Sequence, residues 1–175
     1  QFLKKEIREM KENSISFGVI GNIDKLPAPV QKSINRAIKE TAGGEEMRLT
    51  LALSYGGRDE IVHAARSLAQ KAAAGVLNPE DITKEMFAGE LFTGQMPDPD
   101  LLIRTSGELR VSNFLLWQIA YTELWITPVL WPDFRRKHLE QAFEDYSRRE
   151  RRFGRTHAPK SGKKPERGTK SRSKN

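Results

Sequence analysis

The 175 residues contain no cysteine. Disulfides, thiolate metal sites and cysteine nucleophiles are therefore excluded. Histidine is nearly as scarce. His63, His138 and His157 stand far apart in the sequence, which argues against a histidine-rich zinc site. No apolar run approaches the roughly 18 residues that a transmembrane helix needs. The sequence opens on Gln1 rather than Met and shows no signal-peptide pattern.

Excess charge is missing from most of the chain as well. The net charge is +7, yet residues 1–154 hold 22 basic and 22 acidic side chains. The excess lies in residues 155–175, with eight Lys or Arg against the single Glu166. A formally neutral body gives no reason to expect a nucleic-acid partner. The basic segment is rich in Ser, Gly, Pro and Thr and has few apolar residues to bury. It is expected to be a disordered tail. The remaining 154 residues are enough for one domain with a core of its own.

Within that body, apolar segments of strand length alternate with segments of helical period. Residues 1–13 carry Phe2, Leu3, Ile7 and Met10 at helical spacing. Strands are expected at 14–20, 48–55, 100–105 and 123–127. Helices are expected at 29–41, 58–74, 80–91, 113–120 and 135–152, with Asn78 capping the third and Ser112 placed like an N-cap of the fourth. Apolar strands alternating with helices predict an α/β fold: a central, mostly parallel sheet with helices on both faces.

In open parallel sheets, ligands bind beyond the carboxyl ends of the strands. Arg104 follows the apolar run Leu101-Leu102-Ile103 at such an end. Arg110, Val111 and Ser112 come next, ahead of an apolar stretch. Two guanidinium groups, a hydroxyl and a helix N-terminus on one loop would make a diphosphate cradle, because the planar Arg fork binds phosphate oxygens in pairs. The same spacing also fits an ordinary loop whose arginines pair with Glu108, Asp98 or Asp100. Glu123 stands inside the apolar stretch IAYTELWIT and needs a cation or hydrogen-bond donors. One carboxylate beside phosphate oxygens is a common way to hold Mg²⁺. A strand-edge Glu facing solvent fits as well. The run Ser54-Tyr55-Gly56-Gly57-Arg58 turns a strand into a helix. It reads either as a tight turn or as a phosphate nest.

Four segments together resemble the cis-prenyltransferases: LTLALSYGGRDEI at 49–61, DPDLLIRTSGELRVSNFLLWQIAYTE at 98–123, VLWPDF at 129–134 and RERRFG at 149–154. The resemblance spans nearly all of residues 1–154. It implies a parallel sheet flanked by helices and a hydrophobic tunnel for a growing chain. It also implies a Mg²⁺-dependent condensation of isopentenyl diphosphate onto an allylic diphosphate such as farnesyl diphosphate, with cis double bonds formed. Arg104, Arg110, Val111 and Ser112 match positions that hold isopentenyl diphosphate, and Glu123 matches a metal-associated glutamate. Arg152 and Gly154 match an Arg-x-Gly that reaches the site across a homodimer interface. Glu60 matches an acidic position near the same substrate. A cytoplasmic location, with peripheral membrane contact made through a lipid product, is implied too. So is a place in supplying the cell-wall lipid carrier.

The sequence departs from the family pattern at one large point. The family's Asp-Gly-Asn-Gly-Arg-Trp block, which supplies the catalytic aspartate, does not occur in it, nor does the Ser-x-x-Asn-Trp block that follows. No catalytic residue is therefore named. The expectation is an ordinary enzyme whose earlier part lies outside this sequence, the present chain alone being inactive. The alternative is a non-catalytic partner subunit of a heteromeric enzyme.

Overall fold

A computed structural model describes residues 2–94 and 96–149. The first helix, α1 (Phe2–Glu12), buries Ile7 and Met10. Strand β1 (Ile15–Ile20) follows after a short turn. Pro27 and Pro29 then open α2 (Ala28–Thr41), where their fixed φ suits the first helical turn. The chain returns as β2 (Met47–Ala52), which lies parallel to β1, with Phe17 opposite Leu49 and Gly18 opposite Thr50.

Alternation along β1 sends Ile15, Phe17 and Val19 to one face. There they meet Ile7, Met10, Ala37 and Ile38 of the two helices and form the core of this half. Thr41 ties helix to strand. Its hydroxyl donates to the Ala37 carbonyl at 2.8 Å and accepts from the Phe17 amide at 3.0 Å. Gly21 ends β1 with φ +110°, and a Cβ there would stand 2.2 Å from the Leu53 carbonyl oxygen.

Helix α3 (Gly57–Ala73) buries Gly57, Glu60, Ala64 and Leu68. The expected helix over 80–91 is two shorter pieces. Asn78 caps a single 3-10 turn (Pro79–Asp81), and Thr83 caps α4 (Lys84–Gly89) by accepting from the Met86 amide at 3.2 Å. Strands β3 (Leu101–Arg104) and β4 (Glu123–Ile126) form a second parallel pair, with Leu101 opposite Glu123 and Arg104 opposite Ile126. Helix α5 (Arg136–Ser147) packs on β4, where the Trp125 indole N–H donates to Asp145 at 2.8 Å.

The α/β class with parallel strands is thus what the alternating pattern predicted. The described strands are joined as two separate pairs, β1–β2 and β3–β4. Apolar residues of β2 stay partly open, Met47, Leu49 and Leu51 among them. No helix of the described residues is long and apolar enough to cross a membrane. The basic tail lies outside the described residues.

Candidate functional site

The β3–β4 pair positions the site. Alternation places Leu102 and Arg104 on one face of β3, beside Leu124 and Ile126 of β4. Those four residues, with Glu108, Leu109, Arg110 and Val111 from the following loop, line a cleft of about 270 Å³. Its floor is aliphatic, and two guanidinium groups stand on its walls. The Nε of Arg104 is buried and has no hydrogen-bond partner. A buried cationic donor left unsatisfied is costly, and such groups are normally answered by a ligand or an ordered water.

The loop itself is held at both ends. At its start, the amides of Ser106 and Gly107 donate to the carbonyls of Val129 and Thr127 at 2.9 and 2.8 Å. At its far end, Asn113 docks on the N-terminus of α3. Its carbonyl accepts from the Gly57 amide at 2.7 Å, and its side-chain oxygen accepts from the Arg58 amide at 2.9 Å. Ser112, Asn113 and Leu115 all take positive φ, at 49°, 61° and 47°.

These values correct two sequence expectations. Ser112 does not cap a helix, and residues 113–120 do not form one. The left-handed conformation of three nearby residues is incompatible with an α-helix, and only a 3-10 turn (Gln118–Tyr121) follows. The cradle therefore has no helix N-terminus of its own. The Gly56-Gly57 pair is explained differently too. A Cβ on Gly57 would meet the Leu116 side chain at 2.8 Å and the Asn113 carbonyl oxygen at 3.2 Å. The glycines allow the loop to approach α3, whose leading amides go to Asn113.

Arg110 forms an ion pair with Glu108 on an exposed stretch, as the plain-loop alternative anticipated. Glu60 is not near an open cleft. It is 0% exposed and accepts from the Tyr55 hydroxyl, from the Phe92 amide at 3.2 Å and from the Gln118 side chain at 3.2 Å. Burial and the adjoining Glu60 carboxylate push the Tyr55 phenol well above its usual value.

Glu123 does not join the arginines. It opens β4 opposite Leu101, three residues and roughly 10 Å of strand from the Arg104 end. It also belongs to the alternate face, the one that carries Trp125 toward α5. Its carboxylate accepts from Arg149 at 2.8 Å. That pair supplies the cation its apolar setting called for. The described residues contain no group of three or more His, Cys, Asp or Glu able to hold a metal. Glu123, expected beside a metal, is paired with Arg149 here. Arg152 and Gly154 lie outside the described residues.

Residues 1–154 match the family model described as "Putative undecaprenyl diphosphate synthase". The chain belongs to the cis-prenyltransferase family. It is 52% identical over 158 residues to an isoprenyl transferase of Geobacter sulfurreducens, covering 90% of this chain and 64% of that protein. An isoprenyl transferase of Bacillus subtilis is 48% identical over 154 residues, 88% of this chain and 59% of the relative. The chain thus spans about three fifths of the length of these curated relatives. Among solved structures, a lavandulyl diphosphate synthase from Lavandula x intermedia, in complex with dimethylallyl diphosphate, superposes with a TM-score of 0.85 at 40% identity. That match covers 88% of this chain and 67% of the other. A probable undecaprenyl diphosphate synthase from Campylobacter jejuni superposes with a TM-score of 0.75 at 28% identity, covering 88% and 70%.

Sequence reasoning picked out Arg104 and Arg110, read Tyr55 only as part of the turn before α3, and gave no individual part to Asn113 or Gln118. One signal was available for Asn113, since Asn is enriched at positive φ. It was overridden by the apolar run that follows, which reads as a helix.

Proposed function

We propose that the cleft on the β3–β4 face holds isopentenyl diphosphate, in an enzyme that extends a prenyl chain from an allylic diphosphate of the farnesyl type with cis geometry. The observation that carries this reading is the buried, unpartnered Nε of Arg104 at the edge of an aliphatic cleft. An amphiphile with a polyanionic diphosphate head and a short branched hydrocarbon tail answers both features. Arg104 and Arg110 hold the diphosphate and fix the direction of the alkene. Positioning of this kind is a large share of what a site contributes to a condensation. Arg110 exchanges its present partner, Glu108, for the ligand.

Val111 lines the same cleft and Ser112 follows it in the chain. Arg152 and Gly154 are assigned to the same diphosphate by family resemblance, reaching it from the second subunit of a homodimer. A solved relative that holds dimethylallyl diphosphate supports the substrate class. Family membership suggests a divalent-metal dependence, and by the same resemblance Glu123 would supply one carboxylate to Mg²⁺, which would offset the charge of the diphosphate. In this reading the enzyme is cytoplasmic, with peripheral membrane contact through its lipid product.

The test is calorimetric binding to the 175-residue chain. Isopentenyl diphosphate is expected to bind saturably and more tightly than inorganic diphosphate, because Leu102, Leu124 and Ile126 take up its tail. Arg104→Met is expected to weaken both ligands roughly tenfold to a hundredfold, the loss of a charge-assisted hydrogen bond. Unchanged affinity in that variant would remove the reading.

A further inference from the structure

Three consecutive observations concern the far end of the diphosphate loop, and none is needed by the site as described above. First, Leu115 is an ordinary β-carbon residue held at φ 47°, next to Asn113 at 61°. Bulky non-glycine residues seldom visit this region and stay only when their surroundings enforce it. Second, both residues are enforced from the same place. Asn113 meets the amides of Gly57 and Arg58, while the Leu115 amide donates to the Tyr55 hydroxyl at 3.1 Å. Third, the Tyr55 hydroxyl donates in turn to Glu60, the largest fully buried side chain of the described residues. The other oxygen of Glu60 accepts from the Phe92 amide, and Gln118 completes the set from just beyond the strained residues.

A buried carboxylate is costly unless its lone pairs are met by donors. Here two of the donors, Tyr55 and Gln118, flank the start of α3 and the far end of the loop, and the third comes from the turn after α4. A strained backbone, two glycines that make room for it, and a buried acceptor together form a device that fixes one loop shape. The segment that this device leaves to be shaped runs over 108–112, since the Ser106 and Gly107 amides are bound at the other side. It carries Arg110 and Ser112.

We propose that Asn113 and Tyr55, the latter held by Glu60, are positioning residues that lock the 108–112 loop in the shape that binds diphosphate. This inference rests on the reading of the cleft given above. It adds that the loop's affinity is set from the N-terminus of α3, by residues outside the cleft lining. Fixing a binding group within about half an ångström is the usual work of such supporting contacts.

Three variants test it in the full chain. Asn113→Gly keeps the positive φ and the backbone acceptor but removes the side-chain oxygen. Tyr55→Phe removes the hydroxyl that meets Leu115 and Glu60. Ser67→Ala is the control, for it breaks another bond of α3, the 2.6 Å contact from Ser67 to Glu90, without removing any atom that meets Asn113, Leu115 or Glu60. The readouts are calorimetric affinity for inorganic diphosphate and amide hydrogen exchange. We expect Asn113→Gly and Tyr55→Phe each to weaken diphosphate about tenfold, a typical cost of a displaced binding group. Exchange at the Arg58 and Leu115 amides should rise above that of the rest of α3. Ser67→Ala should leave affinity within about twofold, inside the scatter of a distant substitution.

Equal losses in all three variants would make the effect one of general stability and overturn the inference. Normal affinity in Asn113→Gly and Tyr55→Phe, with affinity lost in Arg104→Met, would overturn it and leave the reading of the cleft standing. Absence of diphosphate binding by the unmodified chain would overturn both. Unchanged exchange at Arg58 and Leu115 would show that no lock exists, whatever the ligand does.

Discussion

Arg149 donates to both the carboxylate of Glu123, at 2.8 Å, and the carbonyl of Leu124, at 2.9 Å. One guanidinium beyond the end of α5 thus grips the first two residues of β4. Both side chains keep about a third of their surface in water, at 34% and 29%. The pair fastens the chain after α5 to the sheet three residues before Arg152.

Partial exposure limits what this pair contributes. A double-mutant cycle on Glu123→Gln and Arg149→Ala is expected to give a coupling of about 0.5–1 kcal/mol, as for other half-solvated pairs. Urea unfolding at low salt measures it, and the coupling should shrink in about 1 M salt, where the Debye length falls to roughly 3 Å. A coupling that ignores salt would mean the contact is not electrostatic.

Gly57→Ala should destabilise the chain by about 1–3 kcal/mol, the usual range for overpacking a tight contact. The added carbon would press on Leu116 and on the Asn113 carbonyl, and neither can retreat without breaking the docking of the loop. Gly21→Ala should cost more. It combines the 2.2 Å clash against the Leu53 carbonyl with φ +110°, a conformation L-residues rarely adopt. Denaturant midpoints rank the two, and a milder Gly21 variant would contradict the geometry.

Alkaline pH acts through Tyr55. Its phenol titrates higher in the folded chain than the ordinary 10.0, chiefly because it is buried and then because it donates to Glu60. The unfolded chain therefore releases this proton first as pH rises. The stabilisation is complete below about pH 10 and is lost progressively above it. Urea unfolding between pH 8 and 11 should show the decline, and Tyr55→Phe should flatten this part of it.

At the acid end, Glu90 joins α3 to the turn after α4. The Lys71 ammonium and the Ser67 hydroxyl hold its carboxyl below the ordinary 4.5. The folded state thus binds this proton later than the unfolded state does. The contribution is present above pH 4.5 and disappears as pH falls. Glu90→Gln should make stability less sensitive to pH over 5 to 3, read by thermal unfolding. An unchanged acid limb would show that the ion pair does not form in solution.

What the sequence could and could not reveal divides along physical lines. Strand β3 was legible because Leu101, Leu102 and Ile103 form an apolar run that ends at Arg104, and a cation there sits at the strand's carboxyl end. Helix α3 was legible because its apolar positions repeat at helical spacing behind two glycines. The segment after Ser112 was not. Its Phe, Leu, Leu, Trp and Ile form a dense apolar run, and that composition favoured a helix. The winning interactions are tertiary: Tyr55, Gly57 and Arg58 bind this segment from 55 to 60 positions away. The separation of Glu123 from Arg104 was equally hidden, because strand parity and register decide it and neither can be read before the partner strand is known. Tyr55 looked like part of a turn, Glu60 was placed near the substrate by resemblance, and nothing local marks a carboxylate as fully buried.

The bonds that dock Asn113 and Leu115 on α3 also bear on how the chain acquires its shape in time. They close loops of 55 and 60 residues, among the long closures of the molecule. Closing such loops is entropically dear, so these contacts form after the local helices and the two parallel pairs. Contacts that form after the rate-limiting step govern how fast a protein comes apart more than how fast it assembles. The docking that holds the Arg110 segment is accordingly expected to form late and to weigh on the unfolding rate more than on the folding rate.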